Sequence, residues 1–380
     1  MIPVSATKYS FLKIFSGKSG LRAGLTEHTG ADRCFFFRRG TEALYVLFKA
    51  LMKVSERNTV IIPSYTADAV YAAAVQAGLR VNFCDMSLQS FNMDLTKLES
   101  VVDEDTLAVV GVHLFGIPED MERISGILKG RGVFLVDDLC QAFGSRLRGC
   151  PVGAFGDAAV LSFGKGKNFT TVEGGALLTR EGMISDLVSG IYEELEDPGV
   201  LANLKYLAMS LGLSILARPF PYTYARRLFA DKREVPVEFS VVPGKLTGTQ
   251  LRLGSGLMRD IDNIISARKQ MGLQLYDALA GMEGLTLPEI AEKDVAWNRL
   301  PVMVKDADKR EVLRDLLLDD GVEANYYYNE PCYFDLTEGF AGIYRNASYF
   351  AGHLLTLPSN VFLTDEAIGR IAHIFQDILD

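Results

Sequence analysis

Six short apolar runs recur between Thr59 and Arg180, and they constrain the fold of this chain more than any other feature. Most of them are apolar at consecutive positions, which is the pattern of strands that are covered on both faces. The runs begin at Thr59, Val81, Leu107, Val133, Ala158 and Gly175. Segments with helical periodicity begin at Gly40, Ala67 and Asp120. Because strands that alternate with helices form parallel sheets, the sequence predicts an α/β fold with a mainly parallel sheet between helices.

The sequence pattern changes after Ser255. A long helix is predicted over residues 254–279, and the predicted elements that follow are a strand at 298–306, a helix at 309–321, an aromatic strand at 324–329 and a last helix from Thr364. This mixture is typical of a small α+β domain. We therefore expect a large domain over residues 1–255 and a small C-terminal domain over residues 256–380.

Composition excludes several classes of function. The formal net charge is −9 and the basic residues are dispersed, which argues against a nucleic-acid groove. The five cysteines are scattered without a CxxC pair, which favours reduced thiols and gives no metal site. The N-terminus lacks the apolar core of a signal peptide. These features predict a cytoplasmic protein.

One apolar run, Tyr206 to Ala217, stands within an insertion of about residues 204–235. It is too short to cross a bilayer, which takes about 20 residues. The run is typical of a helix that is buried or lies in a dimer interface. The alternative is a helix inserted in a membrane surface, with Arg218, Arg226 and Arg227 against the lipid headgroups.

The loop LSFGKGKNFTTVEGGALLT (161–179) carries two lysines that flank one glycine. It is not a P-loop, because Lys167 is followed by Asn168 where that motif has Ser or Thr. It is not a dinucleotide fingerprint either, because GKGKNF lacks the third glycine. A lysine amine can instead form a Schiff base with an aldehyde when a neighbouring cation such as Lys165 and apolar surroundings lower its pKa.

Pyridoxal phosphate (PLP) chemistry would need a carboxylate for the ring nitrogen, a partner for the phenolic oxygen and donors for the phosphate. Asp138 ends a buried strand in VDDLCQAFGS, and Gln141 follows three residues later. Gly40 and Thr41 stand at a predicted helix start, where free N–H groups and the helix dipole favour a phosphate. Ser162 adds a hydroxyl at the end of a strand. The sequence thus offers all three kinds of group.

The motifs RGTEAL, VIIPSYTADA, VVGVHLFG, LVDDLCQAFGS, VGAFGDAAVLSFGKGKN and VEGGALLT follow one another in this order. In this combination the chain resembles the DegT/DnrJ/StrS sugar aminotransferases, which are PLP enzymes of fold type I. The resemblance is strong over residues 40–180 and returns in LLTLPSNVFLTDEAIGRI near the C-terminus. It implies a large domain with a mainly parallel seven-stranded sheet, a small C-terminal domain, and a homodimer with the active site at the subunit interface.

The resemblance also implies roles for individual residues. Lys167 would be the Schiff-base lysine, Asp138 the partner of the pyridine nitrogen and Gln141 the contact of the phenolic oxygen. The implied phosphate contacts are Gly40, Thr41 and Ser162. The implied reaction moves an amino group from an amino acid, by family expectation glutamate, to a keto-sugar that is most often nucleotide-linked. Relatives that lost the lysine are dehydratases, so Lys167 favours transamination.

The chain departs from the family pattern at three places. Ala67 stands where the family has an aromatic residue that stacks on the cofactor ring, so Tyr65 or another ring would have to replace it. Pro243 and Lys245 occupy the asparagine and arginine positions of a segment that reaches the partner subunit. The histidine of a C-terminal Tyr-x-Pro motif is absent from YNEPCYF (328–334). Substrate recognition is therefore expected to differ from the family pattern.

Several alternatives stay open at the level of sequence. Lys165 could replace Lys167 as the reactive lysine, although the spacing from the strand favours Lys167. Asp137 could replace Asp138 as the functional acid, although the Asp-x-x-Gln pattern favours Asp138. His113 is either catalytic or a structural histidine at a strand end, and the second is more typical.

The function has two alternatives as well. The first is an aminotransferase that acts on a non-sugar or lipid-linked ketone, which the altered segments and the apolar insertion would explain. The second is a PLP-binding regulatory protein without turnover.

Arg38 and Arg39 are either ligands of a substrate phosphate or a solvated pair.

Overall fold

The computed structural model describes residues 1–4, 10–17, 20–216, 240–328 and 340–380. The strands are β1 (Arg33–Phe37), β2 (Thr59–Pro63), β3 (Arg80–Cys84), β4 (Thr106–Val112), β5 (Phe134–Asp138), β6 (Arg146–Leu147), β7 (Cys150–Pro151), β8 (Ala158–Ser162), β9 (Gly175–Thr179), β10 (Leu285–Thr286), β11 (Lys293–Asp294), β12 (Leu300–Val304) and β13 (Leu354–Leu357). The helices are α1 (Lys13–Ser16), α2 (Leu21–Thr29), α3 (Gly40–Leu51), α4 (Asp68–Ala77), α5 (Leu95–Val101), α6 (Met121–Leu128), α7 (Met183–Glu193), α8 (Val200–Leu216), α9 (Gly248–Met258), α10 (Ile261–Leu279), α11 (Ala307–Asp319), α12 (Phe340–Ile343), α13 (Arg345–His353) and α14 (Asp365–Leu379), with a 3₁₀ turn at Leu114–Gly116.

The main sheet has seven strands in the order β1-β9-β8-β5-β4-β2-β3. The neighbours among β3, β2, β4, β5 and β8 are parallel, whereas β9 is antiparallel to both β8 and β1. This confirms the predicted α/β fold with a mainly parallel seven-stranded sheet. The edge strand β1, with the sequence RCFFF, was not predicted, because its aromatic run follows no strand–helix alternation.

Both faces of this sheet are buried, as the continuous apolar runs predicted. In β2, Val60 and Ile62 belong to one hydrophobic cluster, while Ile61 between them belongs to another on the opposite face. Successive side chains of a strand point to opposite faces, so a strand covered on both sides must be apolar at every position. The sheet is therefore sandwiched by helices.

The C-terminal part contains a small antiparallel sheet in the order β10-β12-β13. Val302 of this sheet, Leu313 of α11 and Phe375 of α14 belong to the same hydrophobic cluster as residues of α3 and β2. The division of the chain into two domains at residue 255 stays a prediction.

The single long helix predicted over residues 254–279 is wrong. The chain forms α9 and α10 with a break at Asp260, whose φ of −105° and ψ of 6° are not helical. Helix α1 packs so closely on α9 that a Cβ on Gly256 would lie 2.1 Å from the Lys13 carbonyl oxygen. Lys13 also forms an ion pair with Asp260. These tertiary contacts hold the end of α9 at a place that helical periodicity alone does not mark.

The aromatic strand predicted over residues 324–329 is not formed in its described part. Asn325 makes only an isolated bridge with Thr356. Tyr327 has a φ of +67°, in the left-handed region that interrupts a strand. Tyr328 packs against Tyr65, which follows β2, and Tyr327 packs against Phe115, which follows β4.

Helix α8 contains most of the apolar run that was expected to be buried or to lie in an interface. Tyr206, Ser210 and Ser214 are buried and Met209 and Leu213 pack against the core, so one side of the run is buried as predicted. Other apolar residues of the run, such as Leu211 and Ile215, are exposed in this chain. Among the helices of the described residues, none is long and apolar enough to cross a membrane. The rest of the insertion, with the arginines 218, 226 and 227, lies outside the described residues, as does the 329–334 part of the YNEPCYF segment.

Candidate active site

A cavity of about 370 Å³ opens at the carboxyl ends of the central strands. Val112, Asp138 and Ser162 are the last residues of β4, β5 and β8, and all three line it. Ligands of open α/β sheets bind at these ends, because the strand-to-helix loops place side chains and helix N-termini there. The loop 164–167 and the start of α3 close two other sides of the cavity.

Buried side-chain amides hold the loop that carries Lys167. Asn298 donates from Nδ2 to the Gly166 carbonyl oxygen at 2.8 Å and to Asn168 Oδ1 at 3.3 Å. Asn168 in turn donates to the Ala296 carbonyl oxygen at 2.8 Å. Gly166 has a φ of +81°, a conformation that favours glycine, and it lets the loop turn between the two lysines. The segment after α10 thus fixes the lysine loop on the sheet.

Both lysines line the cavity, but they differ in position. Lys165 is exposed, while Lys167 is partly buried. Burial raises the pKa of the Cys140 thiol, the nearby Asp138 carboxylate raises it further, and the positive charge of Lys167 opposes both effects. Lys167 is thus the less exposed of the two lysines, and its charge acts on Cys140, which follows Asp138 closely. The assignment of Lys167 as the reactive lysine stays a prediction.

Asp138 and Asp137 point to different environments. Asp138 lines the cavity, and its Oδ1 accepts a hydrogen bond from the Cys140 N–H at 2.9 Å. Asp137 is fully buried and accepts hydrogen bonds from the His113 ring and from the backbone N–H of Gly153. Asp138 is therefore the acid that faces the cavity.

His113 has a structural role in this network. Its Nδ1 accepts a hydrogen bond from the Glu119 N–H at 2.8 Å, so the neutral ring carries its proton on Nε2 and donates it to Asp137. The side chain is completely buried and does not line the cavity. This agrees with the structural interpretation of this histidine.

The start of α3 lines one side of the cavity with backbone N–H groups that could receive an anion. The N-cap residue Arg39 gives no side-chain hydrogen bond to the helix, so the first N–H groups of α3 are not capped from within. A Cβ on Gly40 would lie 3.1 Å from the Ser162 Cβ, which shows how closely helix and strand approach. Gly40, Thr41 and Ser162 therefore line one cavity wall, where the helix dipole favours a phosphate.

Thr66 adds an unused hydroxyl to the same cavity. Its Oγ1 is buried and has no hydrogen-bond partner among the described residues, although the residue lines the cavity. A buried hydroxyl without a partner is costly, and a polar ligand in the cavity would supply one. Together with the lysine, the carboxylate and the N–H groups of α3, this hydroxyl fits a ligand with the functional groups of PLP.

Gln141 projects into the cavity from the turn after β5 and is held at both ends of its amide. Its Oε1 accepts a hydrogen bond from the Phe115 N–H at 2.8 Å, and its Nε2 donates to the Tyr328 hydroxyl at 3.3 Å. The side chain is 3 % exposed. Gln141 thus presents a fixed amide to any ring oxygen that would lie next to it.

Tyr65 is placed differently from the expectation that it contacts the cofactor. It is completely buried and does not line the cavity, while its neighbours Thr66 and Ala67 do. Its hydroxyl donates to the Tyr328 carbonyl oxygen at 3.0 Å. The end of β2 turns this ring into the core, so Tyr65 supports the site from behind and is not a ring that stacks on the cofactor.

The altered family segment at Pro243 and Lys245 lies outside the cavity lining of this chain. Lys245 forms a hydrogen-bonded ion pair with Asp197 at 2.9 Å. Arg38 pairs with the buried Glu42, and burial raises the pKa of that carboxyl group while Arg38 opposes the shift. Arg38 is thus engaged within the chain and is not a fully solvated residue.

Sequence reasoning missed three residues that shape this site: Thr66, Asn298 and Tyr328. Thr66 lies in the VIIPSYTADA motif directly before Ala67, so its place in the cavity wall could have been inferred from the motif. Asn298 and Tyr328 come from distant parts of the chain, and no local pattern links them to the lysine loop or to Gln141.

The architecture of the chain is that of PLP-dependent transferases of fold type I. Helicobacter pylori PseC, described as an aminotransferase involved in the biosynthesis of pseudoaminic acid, superposes with a TM-score of 0.76 at 18% identity, covering 99% of this chain and 98% of that one. Escherichia coli GDP-4-keto-6-deoxy-D-mannose-3-dehydratase with bound hydrated PLP gives a TM-score of 0.77 at 17% identity, with 99% of each chain covered.

The family follows from the sequence comparison. Residues 18–376 match the DegT/DnrJ/EryC1/StrS aminotransferase family, and the chain belongs to it. It is 27% identical over 286 residues to GDP-perosamine synthase of Escherichia coli O157:H7, covering 75% of this chain and 68% of that protein. It is also 27% identical over 346 residues to the erythromycin biosynthesis sensory transduction protein EryC1 of Saccharopolyspora erythraea, covering 89% and 83%.

Proposed function

We propose that this protein is a PLP-dependent aminotransferase that moves an amino group from an amino acid, by preference glutamate, to a nucleotide-linked keto-sugar. The convergence of Lys167 and Asp138 at the carboxyl ends of neighbouring strands carries the proposal. A lysine for covalent attachment and a buried carboxylate for a ring nitrogen are the two groups that this chemistry needs most.

When bound, PLP would supply an electron sink that stabilises negative charge at the α-carbon of the donor. Lys167 would hold the cofactor covalently at rest, and its amine, once released, would move the α-proton as a general base and acid. Asp138 would keep a proton on the ring nitrogen through its negative charge. The N-terminus of α3 and Ser162 would bind the phosphate, and Gln141 would donate to the phenolic oxygen.

The names of the relatives support the class of acceptor. GDP-perosamine synthase and the UDP-N-acetyl-3-dehydro-alpha-D-glucosamine 3-aminotransferase of Acidithiobacillus ferrooxidans, which is 30% identical over 153 residues, are both named for nucleotide sugars. The presence of Lys167 favours transamination over dehydration. The protein works in amino-sugar biosynthesis in this proposal, as a cytoplasmic homodimer with a site at the subunit interface.

The first test is an absorption spectrum of the purified protein with added PLP, before and after addition of glutamate. Wild type and Lys165→Ala should show a visible band of lysine-bound cofactor that glutamate changes, whereas Lys167→Ala should show no such band. A band that persists in Lys167→Ala but not in Lys165→Ala would reassign the lysine. Wild type without any band would contradict the PLP proposal.

A second candidate function is a PLP-binding regulatory protein without turnover. The names of two relatives support a regulatory function. EryC1 is called a sensory transduction protein, and a Geobacillus stearothermophilus relative is called a pleiotropic regulatory protein. The half-reaction with the amino donor separates the two functions. If no amino acid changed the spectrum of the bound cofactor, the regulatory function would be favoured. If amino acids reacted but no keto-sugar nucleotide accepted the amino group, a non-sugar ketone would be the substrate.

A further inference from the structure

The hydrogen bonds of Gln141 show which way its amide points. The Phe115 N–H can only donate, so the atom that faces it at 2.8 Å must be the amide oxygen of Gln141. The amide nitrogen therefore faces the Tyr328 hydroxyl at 3.3 Å. An amide nitrogen carries two hydrogens, and Tyr328 accepts only one of them. The other hydrogen has no acceptor among the described residues.

Phe115 is held in a strained conformation that aims its N–H at Gln141. Its φ of +61° lies in the left-handed region, which is unfavourable for a residue other than glycine. Gly116 follows with a φ of +96°, and a Cβ there would lie 2.6 Å from the Ala296 carbonyl oxygen. The Phe115 ring packs against Tyr327 with 5.2 Å between the ring centroids. The surrounding structure thus fixes one end of the Gln141 amide.

Tyr328 is fixed as firmly at the other end. The Tyr65 hydroxyl contacts its backbone twice, donating to its carbonyl oxygen at 3.0 Å and accepting from its N–H at 3.2 Å. The two rings also meet edge to face, with 5.3 Å between centroids. Tyr65 is itself completely buried, against Phe350. Tyr65 thus connects the end of β2 to the backbone of the residue that contacts Gln141.

We propose that Tyr328 is a positioning residue for the cofactor. Its hydroxyl and the Phe115 N–H together hold the amide of Gln141 so that the remaining amide hydrogen donates to the ring oxygen of PLP. Tyr328 acts through Gln141 and touches no reacting atom itself. This inference rests on the proposed function, because it requires a cofactor with such an oxygen in the cavity.

A double-mutant cycle with the affinity for PLP as its readout tests this role. Tyr328→Phe removes only the hydroxyl, and the loss of one hydrogen bond of about 0.5–1.5 kcal/mol corresponds to PLP binding that is about 2–10-fold weaker. In a Gln141→Ala background the same change should have less than about a twofold effect, because the amide that Tyr328 positions is gone. The absorption maximum of bound PLP should shift in the same direction in Tyr328→Phe and in Gln141→Ala.

Tyr326→Phe is the matched control, since it removes a hydroxyl that hydrogen-bonds to Glu311 and Arg314 and not to Gln141. It should leave the PLP affinity and the spectrum unchanged. Equal weakening by Tyr328→Phe in both backgrounds, or no weakening in the wild-type background, would overturn the role of Tyr328. Should Tyr328→Phe not fold, Tyr65→Phe in the same cycle decides, because it releases the Tyr328 backbone while it keeps the ring.

The proposed function and this inference fail in different ways. Wild type that takes up no PLP would contradict the proposed function. Wild type that binds PLP normally while Tyr328→Phe leaves affinity and spectrum unchanged would contradict the role of Tyr328 alone.

Discussion

The two adjacent aspartates at the end of β5 should respond to the same substitution in opposite ways. Asp137 is buried beneath the sheet end in contact with His113, whereas Asp138 faces the cavity. Replacement by asparagine keeps the size of the side chain, removes the charge and turns one acceptor oxygen into a donor. We expect Asp137→Asn to destabilise the fold and Asp138→Asn to impair the chemistry.

The hydrogen bonds give the size of the first effect. In Asp137→Asn the new NH₂ group must face either the His113 Nε2–H or the backbone N–H groups of Gly153 and Phe155. All of these groups are donors, so none of them can accept a hydrogen bond from the NH₂ group. A change of the His113 tautomer only moves the conflict to the Glu119 N–H. One charge-assisted hydrogen bond is lost and one buried donor is left unpaired, which together cost about 2–4 kcal/mol.

Asp138→Asn should cost far less stability. The asparagine oxygen can still accept the hydrogen bond from the Cys140 N–H, so the free energy of unfolding should fall by less than about 1 kcal/mol. The neutral amide no longer holds a proton on the ring nitrogen of PLP. The rate of the donor half-reaction should therefore fall on the order of a hundredfold or more.

Two measurements on the same pair of variants check this. Urea unfolding gives the free energy of unfolding, and stopped-flow absorbance after mixing with glutamate gives the rate of the half-reaction. The reasoning would be refuted if Asp138→Asn were the less stable variant, or if Asp137→Asn alone lost the half-reaction while it stayed fully folded.

Three further predictions concern the support of the site. Asn298→Ala removes the hydrogen bonds to the Gly166 carbonyl oxygen and to Asn168, which should lower the free energy of unfolding, measured by urea denaturation, by about 1–3 kcal/mol. An unchanged free energy of unfolding would contradict the anchoring of the lysine loop by Asn298. Gly175→Ala places a Cβ 2.5 Å from the Gly40 nitrogen, so PLP titration should show about tenfold weaker binding or worse, and unaltered affinity would count against the phosphate site. Burial raises the pKa of Glu119, so its contribution to stability is fully present below about pH 4 and is lost as the pH rises through the raised pKa. The free energy of unfolding of Glu119→Gln, relative to that of wild type, should therefore be higher at about pH 7 than at about pH 4. Urea unfolding of both proteins at the two pH values tests this sign.

Local patterns predicted the parallel strands and the residues that end them. Asp138 and Ser162 lie at the carboxyl ends of β5 and β8, and Lys167 follows β8 closely, so their convergence follows from strand direction alone. The position of Tyr65 could not be predicted in this way. It is one residue away from Thr66, which lines the cavity, and whether a side chain at a strand end points into the cavity or the core depends on the twist of the loop.

The sequence by itself determined the α/β sheet and the order of the groups along its functional edge. This is because burial on both faces demands consecutive apolar residues, and because parallel strands place all their carboxyl ends together. Only the tertiary structure decided how those groups are held. Asn298 and Tyr328 come from beyond residue 290 to fix the lysine loop and Gln141. Such contacts depend on how the C-terminal part packs against the sheet, and no local pattern encodes that packing.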